Sequence, residues 1–205
     1  MQQISGEFAV GIEITAIDVR IEKFSLPAMA GAAAFLQRTT PLNTTLLGLY
    51  ALPTVGAALA AYNMVVEMPG TVTMTDTNTM VQNVIDRLQF FRKFKKNRKM
   101  SRLNILDHGN ENNMEIGSDT IDEKNIDRFS KVLSLLKGNF DQGGFIHLQN
   151  CHIGNNEKLL AAFARIVNVP VYAGKGYQNS ILRVNTGDYV RANPDGTIDK
   201  NAHRP

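Results

Sequence analysis

The feature that most constrains this 205-residue chain is a regular alternation of strand-like and helix-like segments after Gly70. Short apolar runs typical of buried strands alternate with longer segments whose apolar residues recur at helical spacing. The strand-like runs are TVTMT (71–75), RLNILDHG (102–109), GGFIHLQNC (143–151) and VPVYAG (169–174), and the helical segments are 75–99, 125–140 and 155–168. This order predicts an α/β fold with a mostly parallel sheet and helices on both faces.

The first 70 residues have a different character. EFAVGIEITAIDVRIEKF (7–24) alternates apolar and polar residues, which predicts one long strand or a hairpin. The stretch 39–66 holds no charge and passes the length criterion of roughly 20 residues for a membrane helix. Pro53 interrupts it, which favours a buried or partner-protected helical hairpin over a spanning helix. We therefore divide the chain into an N-terminal segment, 1–70, and an α/β domain, 71–205.

Composition narrows the classes of function. The single cysteine excludes an intramolecular disulfide framework and a cysteine-rich zinc site. Much of the net charge of +3 comes from the patch RKFKKNRK (92–99), which is typical of a solvated helix end. Because no stacking motif interleaves with its lysines, we do not expect nucleic acid as a partner. The N-terminal residues lack the basic region of a secretory signal, so we expect cytoplasmic synthesis without a Sec signal. Export as an effector and membrane association both stay open.

Two residues that can carry chemistry fall at the ends of predicted strands. His108 and Cys151 each end an apolar run, and one helical crossover separates the two runs. The carboxyl ends of parallel neighbouring strands meet at one edge of a sheet, where reactive groups gather. A neighbouring histidine helps to generate the thiolate that makes cysteine a nucleophile. The backbone N–H groups of Gly109 and Cys151 are candidates to hold an oxyanion.

The competing interpretation is structural. A lone cysteine at a strand end is often a small core residue. His147 is expected to be packed within its strand, and His152 is expected to face away from Cys151. No G-x-S-x-G elbow and no phosphate-binding loop occur in the chain.

The motifs LNILDHGN (103–110) and FIHLQNCHIGN (145–155), in this order of strands and helices, resemble those of caspase-like cysteine peptidases. The glycine-bearing turn and short strand in HGNENNMEIGSDTI (108–121) are most similar to bacterial CHAT-type peptidases and to the self-cleaving cysteine protease domains of toxins. The resemblance spans residues 71–198. Two positions depart from it: Asp107 precedes the histidine where a small residue is common, and Asn150 precedes the cysteine where Gly or Ala is frequent.

The resemblance implies a three-layer α/β/α fold and a set of roles. Cys151 would be the nucleophile, His108 the catalytic histidine, and the N–H groups of Gly109 and Cys151 the oxyanion hole. The segment AGKGYQNS (173–180) would line the specificity pocket, which makes Lys175, Tyr177 and Gln178 candidates for substrate binding. The substrate would be a protein or peptide, and no metal or organic cofactor would be needed.

We therefore expect a cysteine endopeptidase that acts as a bacterial effector or toxin, or as a self-processing module. Two alternatives remain. One is a catalytically inactive caspase-like interaction module. The other is a membrane-active protein that works through residues 39–66, a stretch that also suits contact with a membrane or with a delivery or immunity protein.

Overall fold

The computed structural model of the chain describes residues 11–18, 70–94, 98–179 and 184–205. Within these ranges the strands are β1 (Ile12–Asp18), β2 (Thr71–Met74), β3 (Met100–Leu106), β4 (Asn113–Ile116), β5 (Asp119–Asp122), β6 (Phe140–Gln149), β7 (Val171–Gly174), β8 (Gln178–Asn179), β9 (Val184–Asn185), β10 (Tyr189–Ala192) and β11 (Ile198–Ala202). The helices are α1 (Thr77–Phe94), α2 (Ser130–Leu133) and α3 (Glu157–Val167).

Seven strands form one sheet in the order β11-β10-β7-β6-β3-β1-β2. The pairs from β2 to β7 are parallel, whereas β10 and β11 are added antiparallel at one edge. The predicted α/β class with a mostly parallel sheet is therefore confirmed. The hairpin β4–β5 and the antiparallel pair β8–β9 stand outside this sheet.

One strand of the sheet comes from the N-terminal segment. β1 lies between β2 and β3, with Thr15 opposite Thr71 on one side and Asn104 on the other. The sheet thus includes residues 12–18, which the division at residue 71 had assigned to the N-terminal segment. The stretch 39–66 lies outside the described residues, as do Lys95–Asn97 of the basic patch.

All three described helices pack on the same face of the sheet. Their buried side chains join one hydrophobic cluster, and α2 contacts both α1 and α3. The connections β2 to β3, β3 to β6 and β6 to β7 all step in one direction along the sheet, and right-handed crossovers then place their helices on one side. We expected helices on both faces of the sheet, but the helices within the described ranges cover only one face. No helix in these ranges is long and apolar enough to cross a membrane.

The segment 125–140 is not the continuous amphipathic helix that its periodicity predicts. Only Ser130–Leu133 is α-helical, between 3-10 turns at Ile126–Phe129 and Ser134–Leu136. The Ser130 and Ser134 hydroxyls each donate to the carbonyl three residues earlier, a local bond that competes with the α-helical pattern. The hydrophobic periodicity is real, since Ile126, Leu133 and Leu136 are buried.

The face of the sheet opposite the helices carries buried polar side chains. We call Arg102, Asn104, His147 and Gln149, on β3 and β6, the sheet-face cluster. Asn104 pairs with His147 in the strand register, and the Arg102 guanidinium lies 2.9 Å from His147 Nδ1. Because arginine can only donate, His147 Nδ1 is the acceptor and the proton of the neutral ring is on Nε2. His147 is fully buried, as expected, and burial together with the charges of Arg102 and Arg204 lowers its pKa to about 3.

Candidate active site at the carboxyl edge of the sheet

His108 and Cys151 follow neighbouring parallel strands at corresponding positions. Leu106, near the end of β3, is paired with Gln149 at the end of β6, and each candidate residue lies two positions further on. The Asn150 side chain joins the two chain segments, since its amide donates to the His108 carbonyl at 2.6 Å. The backbones of the predicted dyad therefore meet at the carboxyl edge of the sheet.

Cys151 is half-buried and its thiol is free. Its sulfur accepts a hydrogen bond from the backbone N–H of Gln178 at 3.3 Å. This contact connects the candidate nucleophile to the segment that was predicted to line the specificity pocket. The chain then turns sharply, because His152 has φ +58° and begins a 3-10 turn over Ile153–Asn155.

His108 has an exposed side chain on a fixed backbone. Its N–H donates to Asp107 Oδ1 at 2.7 Å, and its carbonyl accepts from the Glu115 N–H at 3.0 Å as well as from Asn150. A side chain that reaches solvent from an anchored peptide group is suited to meet a ligand at this edge.

Gly109 and Cys151 retain the N–H groups that an oxyanion needs. In the part of the chain that the structure describes, neither group donates a hydrogen bond. Gly109 also packs closely: a Cβ added there would lie 2.9 Å from Asn150 Cβ and 3.4 Å from the Cys151 carbonyl oxygen. The close contact requires glycine and brings these two segments together.

A buried carboxyl pair lies beside the histidine. Because β1 and β3 are parallel with Ile17 opposite Leu106, Asp18 and Asp107 occupy adjacent positions just beyond that pair, and both are buried. Burial, helped by the charge and a side-chain hydrogen bond of Asp18, raises the pKa of Asp107 to about 8, although the bonds from the His108 and Gly117 N–H groups act in the opposite direction. We call Asp18, Asp107 and Asn150 the strand-end cluster. Asp18 is the last residue of β1, and Asp107 and Asn150 directly follow β3 and β6.

The predicted substrate-binding segment lies next to Cys151. Gln178 reaches the sulfur through its backbone, Lys175 contributes its carbonyl to the site, and the Tyr177 side chain is 68% exposed. His152 holds this segment, since its Nδ1 donates to the Lys175 carbonyl at 3.0 Å and its ring packs edge-on against Tyr177. His152 thus supports the segment that was predicted to line the specificity pocket.

Sequence reasoning missed the roles of Asp107, Asn150 and His152. The first two attracted notice only as departures from a family pattern. A polar residue stands directly before each candidate, Asp107 before His108 and Asn150 before Cys151. Since the two candidates end neighbouring strands, this pattern could have indicated hydrogen bonds between the two strand ends.

Other features of the described residues lie elsewhere. No group of three or more His, Cys, Asp or Glu side chains is arranged to hold a metal ion in these ranges. A cavity of about 570 Å³ lies between the edge strand β2 and α1, lined by residues such as Thr71, Asn83 and Phe90. Its lining includes neither His108 nor Cys151, so we base the candidate site on the strand ends.

The fold and site thus define an α/β protein with a cysteine and a histidine at the carboxyl edge of a mostly parallel sheet. Residues 57–178 match the family model described as a domain of unknown function, DUF4347. The match covers more than half of the chain and reaches from before β2 to Gln178, so the chain belongs to this family. No curated protein matches the chain.

Proposed function

We propose that this protein is a cysteine endopeptidase with a Cys151–His108 dyad and a caspase-like fold. The observation that carries the proposal is that the two residues follow neighbouring parallel strands at corresponding positions. Two further observations support it. The N–H groups of Gly109 and Cys151 have no acceptor among the described residues, and the 175–178 segment contacts the cysteine sulfur.

The proposed reaction needs only these groups. The Cys151 thiolate attacks the scissile carbonyl carbon, and the negative charge that develops on the oxygen is held by the N–H groups of Gly109 and Cys151. The C–N bond then breaks, the amine leaves with a proton from His108, and a thioester to Cys151 remains. His108 next takes a proton from water, whose oxygen attacks the thioester and releases the acid product and the thiolate.

Substrate binding is proposed at the segment around Tyr177. Its exposed ring beside His152 offers an apolar surface, and Lys175 and Gln178 flank it with polar groups. A role as a bacterial effector, toxin or self-processing module is part of this proposal, as is contact of residues 39–66 with a membrane or with a delivery or immunity protein.

The test compares wild type with Cys151→Ala and His108→Ala on a library of peptides and on the chain itself. Each variant is expected to lose cleavage by about 100-fold or more, because nucleophile and base are both essential. His203→Ala, a change to an exposed histidine of the C-terminal tail, serves as the matched control and is expected to keep full activity. Unchanged cleavage in folded Cys151→Ala would remove the peptidase proposal and favour an interaction module.

A further inference from the structure

The residues directly before the two dyad members hold the backbone of the site. Asn150 is fully buried, and its amide donates to the carbonyls of His108 at 2.6 Å and Glu115 at 3.1 Å. One side chain thus ties the end of β6 to the segment after β3 and to the hairpin strand β4. Replacing it by the small residue typical of the family pattern would remove both bonds.

Asp107 holds the other side of the same residue, His108. Its Oδ1 accepts the His108 N–H at 2.7 Å, and its Oδ2 accepts the Gly117 N–H at 2.6 Å. Gly117 forms the turn of the β4–β5 hairpin with φ +60°, and the next residue, Ser118, donates its N–H to the Thr75 carbonyl. The hairpin is therefore fixed between the end of β2 and the carboxyl of Asp107.

We infer that Asp107 and Asn150 are positioning residues, which fix the backbone of His108 at its N–H and at its carbonyl and so set the approach of its side chain to Cys151. This inference rests on the proposed peptidase function. Asp107 has a side-chain hydrogen bond with Asp18, but its bonds from the His108 and Gly117 N–H groups, and those of Asn150 to the His108 and Glu115 carbonyls, go to the backbone. Both side chains therefore act on the position of His108. A displacement of a catalytic group by about 1 Å can lower the rate on the order of 100-fold, so a fixed backbone at His108 matters for catalysis.

The charged neighbours give Asp107 a second property. Asp18 on β1 lies beside it, Glu115 and Asp119 lie on the hairpin strands, and Asp76 precedes α1. All four are acidic, so loss of the proton from Asp107 adds a further negative charge to an acidic and buried edge. Ionisation strengthens the bonds that Asp107 accepts from the His108 and Gly117 N–H groups, but it places a charge in a buried site beside Asp18. The expected alkaline effect is therefore a loss of stability, which Asp107→Asn is expected to lack.

Matched variants separate a positioning role from a general loss of stability. Asp107→Asn keeps one acceptor, Asp107→Ala keeps none, and Asn150→Ala removes both donors. The controls are Asp119→Asn, whose carboxylate accepts the Thr77 N–H, and Asn104→Ala, whose amide contacts Glu13 and Thr15; neither contacts His108. All are assayed at a temperature at which each is folded.

Three readouts are measured on the full chain. They are kcat and KM for a cleaved peptide, the rate at which iodoacetamide alkylates Cys151, and hydrogen exchange at the His108 and Gly117 amides. Since Cys151 is the single cysteine, alkylation reports on it alone. We expect Asp107→Asn and Asn150→Ala to lower kcat by about 10- to 100-fold with KM within about threefold, and Asp107→Ala to lose more. We also expect faster exchange at His108 in these variants, with the controls unchanged.

The outcomes distinguish the two claims. If wild type cleaves through Cys151 while Asp107→Asn and Asn150→Ala behave like the controls, the positioning role is wrong and the peptidase function stands. If wild type does not cleave but His108→Ala slows alkylation, a dyad exists and the alkylation rates of the Asp107 and Asn150 variants decide the inference. If neither cleavage nor a His108 effect on alkylation is found, both claims fail.

Discussion

The strand-end cluster and the sheet-face cluster are built on the same central strands but bond in different ways. Asp107 and Asn150 bind backbone groups of His108, Glu115 and Gly117, all of which lie beyond the end of β3. Arg102, His147 and Gln149 bond mainly to one another. Bonds to the backbone determine where neighbouring segments lie, whereas the bonds among side chains join a polar layer in which His147 Nε2 and Gln149 Oε1 have no partner among the described residues. The first cluster therefore shapes the candidate site, and the second stabilises the sheet beneath it.

Each cluster holds one titratable group whose pKa burial shifts towards the neutral form, Asp107 at the strand ends and His147 on the sheet face. Burial raises the pKa of Asp107, an acid, and lowers the pKa of His147, a base. In both cases the protein interior disfavours the charged form. The same physical cause thus gives pH effects of opposite sign in the two clusters, and this contrast can be tested.

The largest expected effect in the sheet-face cluster follows from His147→Ala. The change removes a fully buried ring and leaves the Arg102 guanidinium without its ring acceptor, so we expect the free energy of unfolding to fall by about 2–4 kcal/mol. Cleavage per folded molecule is expected to stay at the wild-type level. Urea unfolding and active-site titration measure the two quantities. A variant of normal stability but little activity would reverse the roles that we give to the clusters.

A smaller effect is expected from Gly109→Ala at the strand ends. The added Cβ would meet Asn150 Cβ at 2.9 Å and the Asn113 carbonyl oxygen at 3.2 Å, which forces the segments apart. We expect a loss of about 1–3 kcal/mol in the free energy of unfolding together with reduced cleavage.

Gly144→Ala is the matched control for this change. It lies on β6 towards the amino end, where an added Cβ would meet the Met100 carbonyl oxygen at 2.7 Å and Phe140 Cβ at 3.0 Å. We expect a similar loss of stability with normal cleavage. Equal losses of activity in the two alanine variants would mean that crowding acts through stability and not through the site.

The sequence predicts the parts of this arrangement that depend on local periodicity. Apolar runs and helical spacing identify β3, β6 and the helix between Glu157 and Val167, and parallel pairing then brings His108 and Cys151 to one edge. The bonds of Asp107 and Asn150 are less accessible to such reasoning. Asn150 and its partner His108 are far apart in sequence, so the bond exists only once the sheet has formed.

The C-terminal strands were not predicted for a related reason. β8 and β9 have two residues each, which is too few for a periodic pattern. The residues between them in the sequence, 180–183, lie outside the described ranges. β10 and β11 are short and join the sheet antiparallel, which breaks the strand–helix alternation on which the prediction was built. The left-handed conformation of His152 gives no pattern either, because it depends on bonds to Lys175 and Gly176.

The third prediction concerns the pH dependence of stability. The pKa of Asp107 rises from an ordinary 3.8 to about 8, so between these values the folded protein holds a proton that the unfolded chain has lost. The pKa of His147 falls from 6.5 to about 3, so between these values the unfolded chain binds a proton that the folded protein does not. Each imbalance of one proton changes the free energy of unfolding by about 1.4 kcal/mol per pH unit.

The signs of the two contributions differ. The stabilisation linked to Asp107 is fully present below pH 3.8 and is lost as the pH rises to about 8. The stabilisation linked to His147 is fully present above pH 6.5 and is lost as the pH falls to about 3. The two cancel where they overlap, so we expect a broad maximum of stability between roughly pH 4 and 6.5, with a decline on either side.

Two variants divide this profile between the clusters. Asp107→Asn cannot ionise and is expected to remove the decline above pH 6.5, while His147→Gln is expected to flatten the decline on the acid side. Urea unfolding at half-unit steps of pH provides the measurement. Because each substitution removes one titration and leaves the other, the two difference profiles should have opposite slopes. An Asp107→Asn profile parallel to wild type above pH 6.5 would show that the strand-end carboxyl does not hold a proton there.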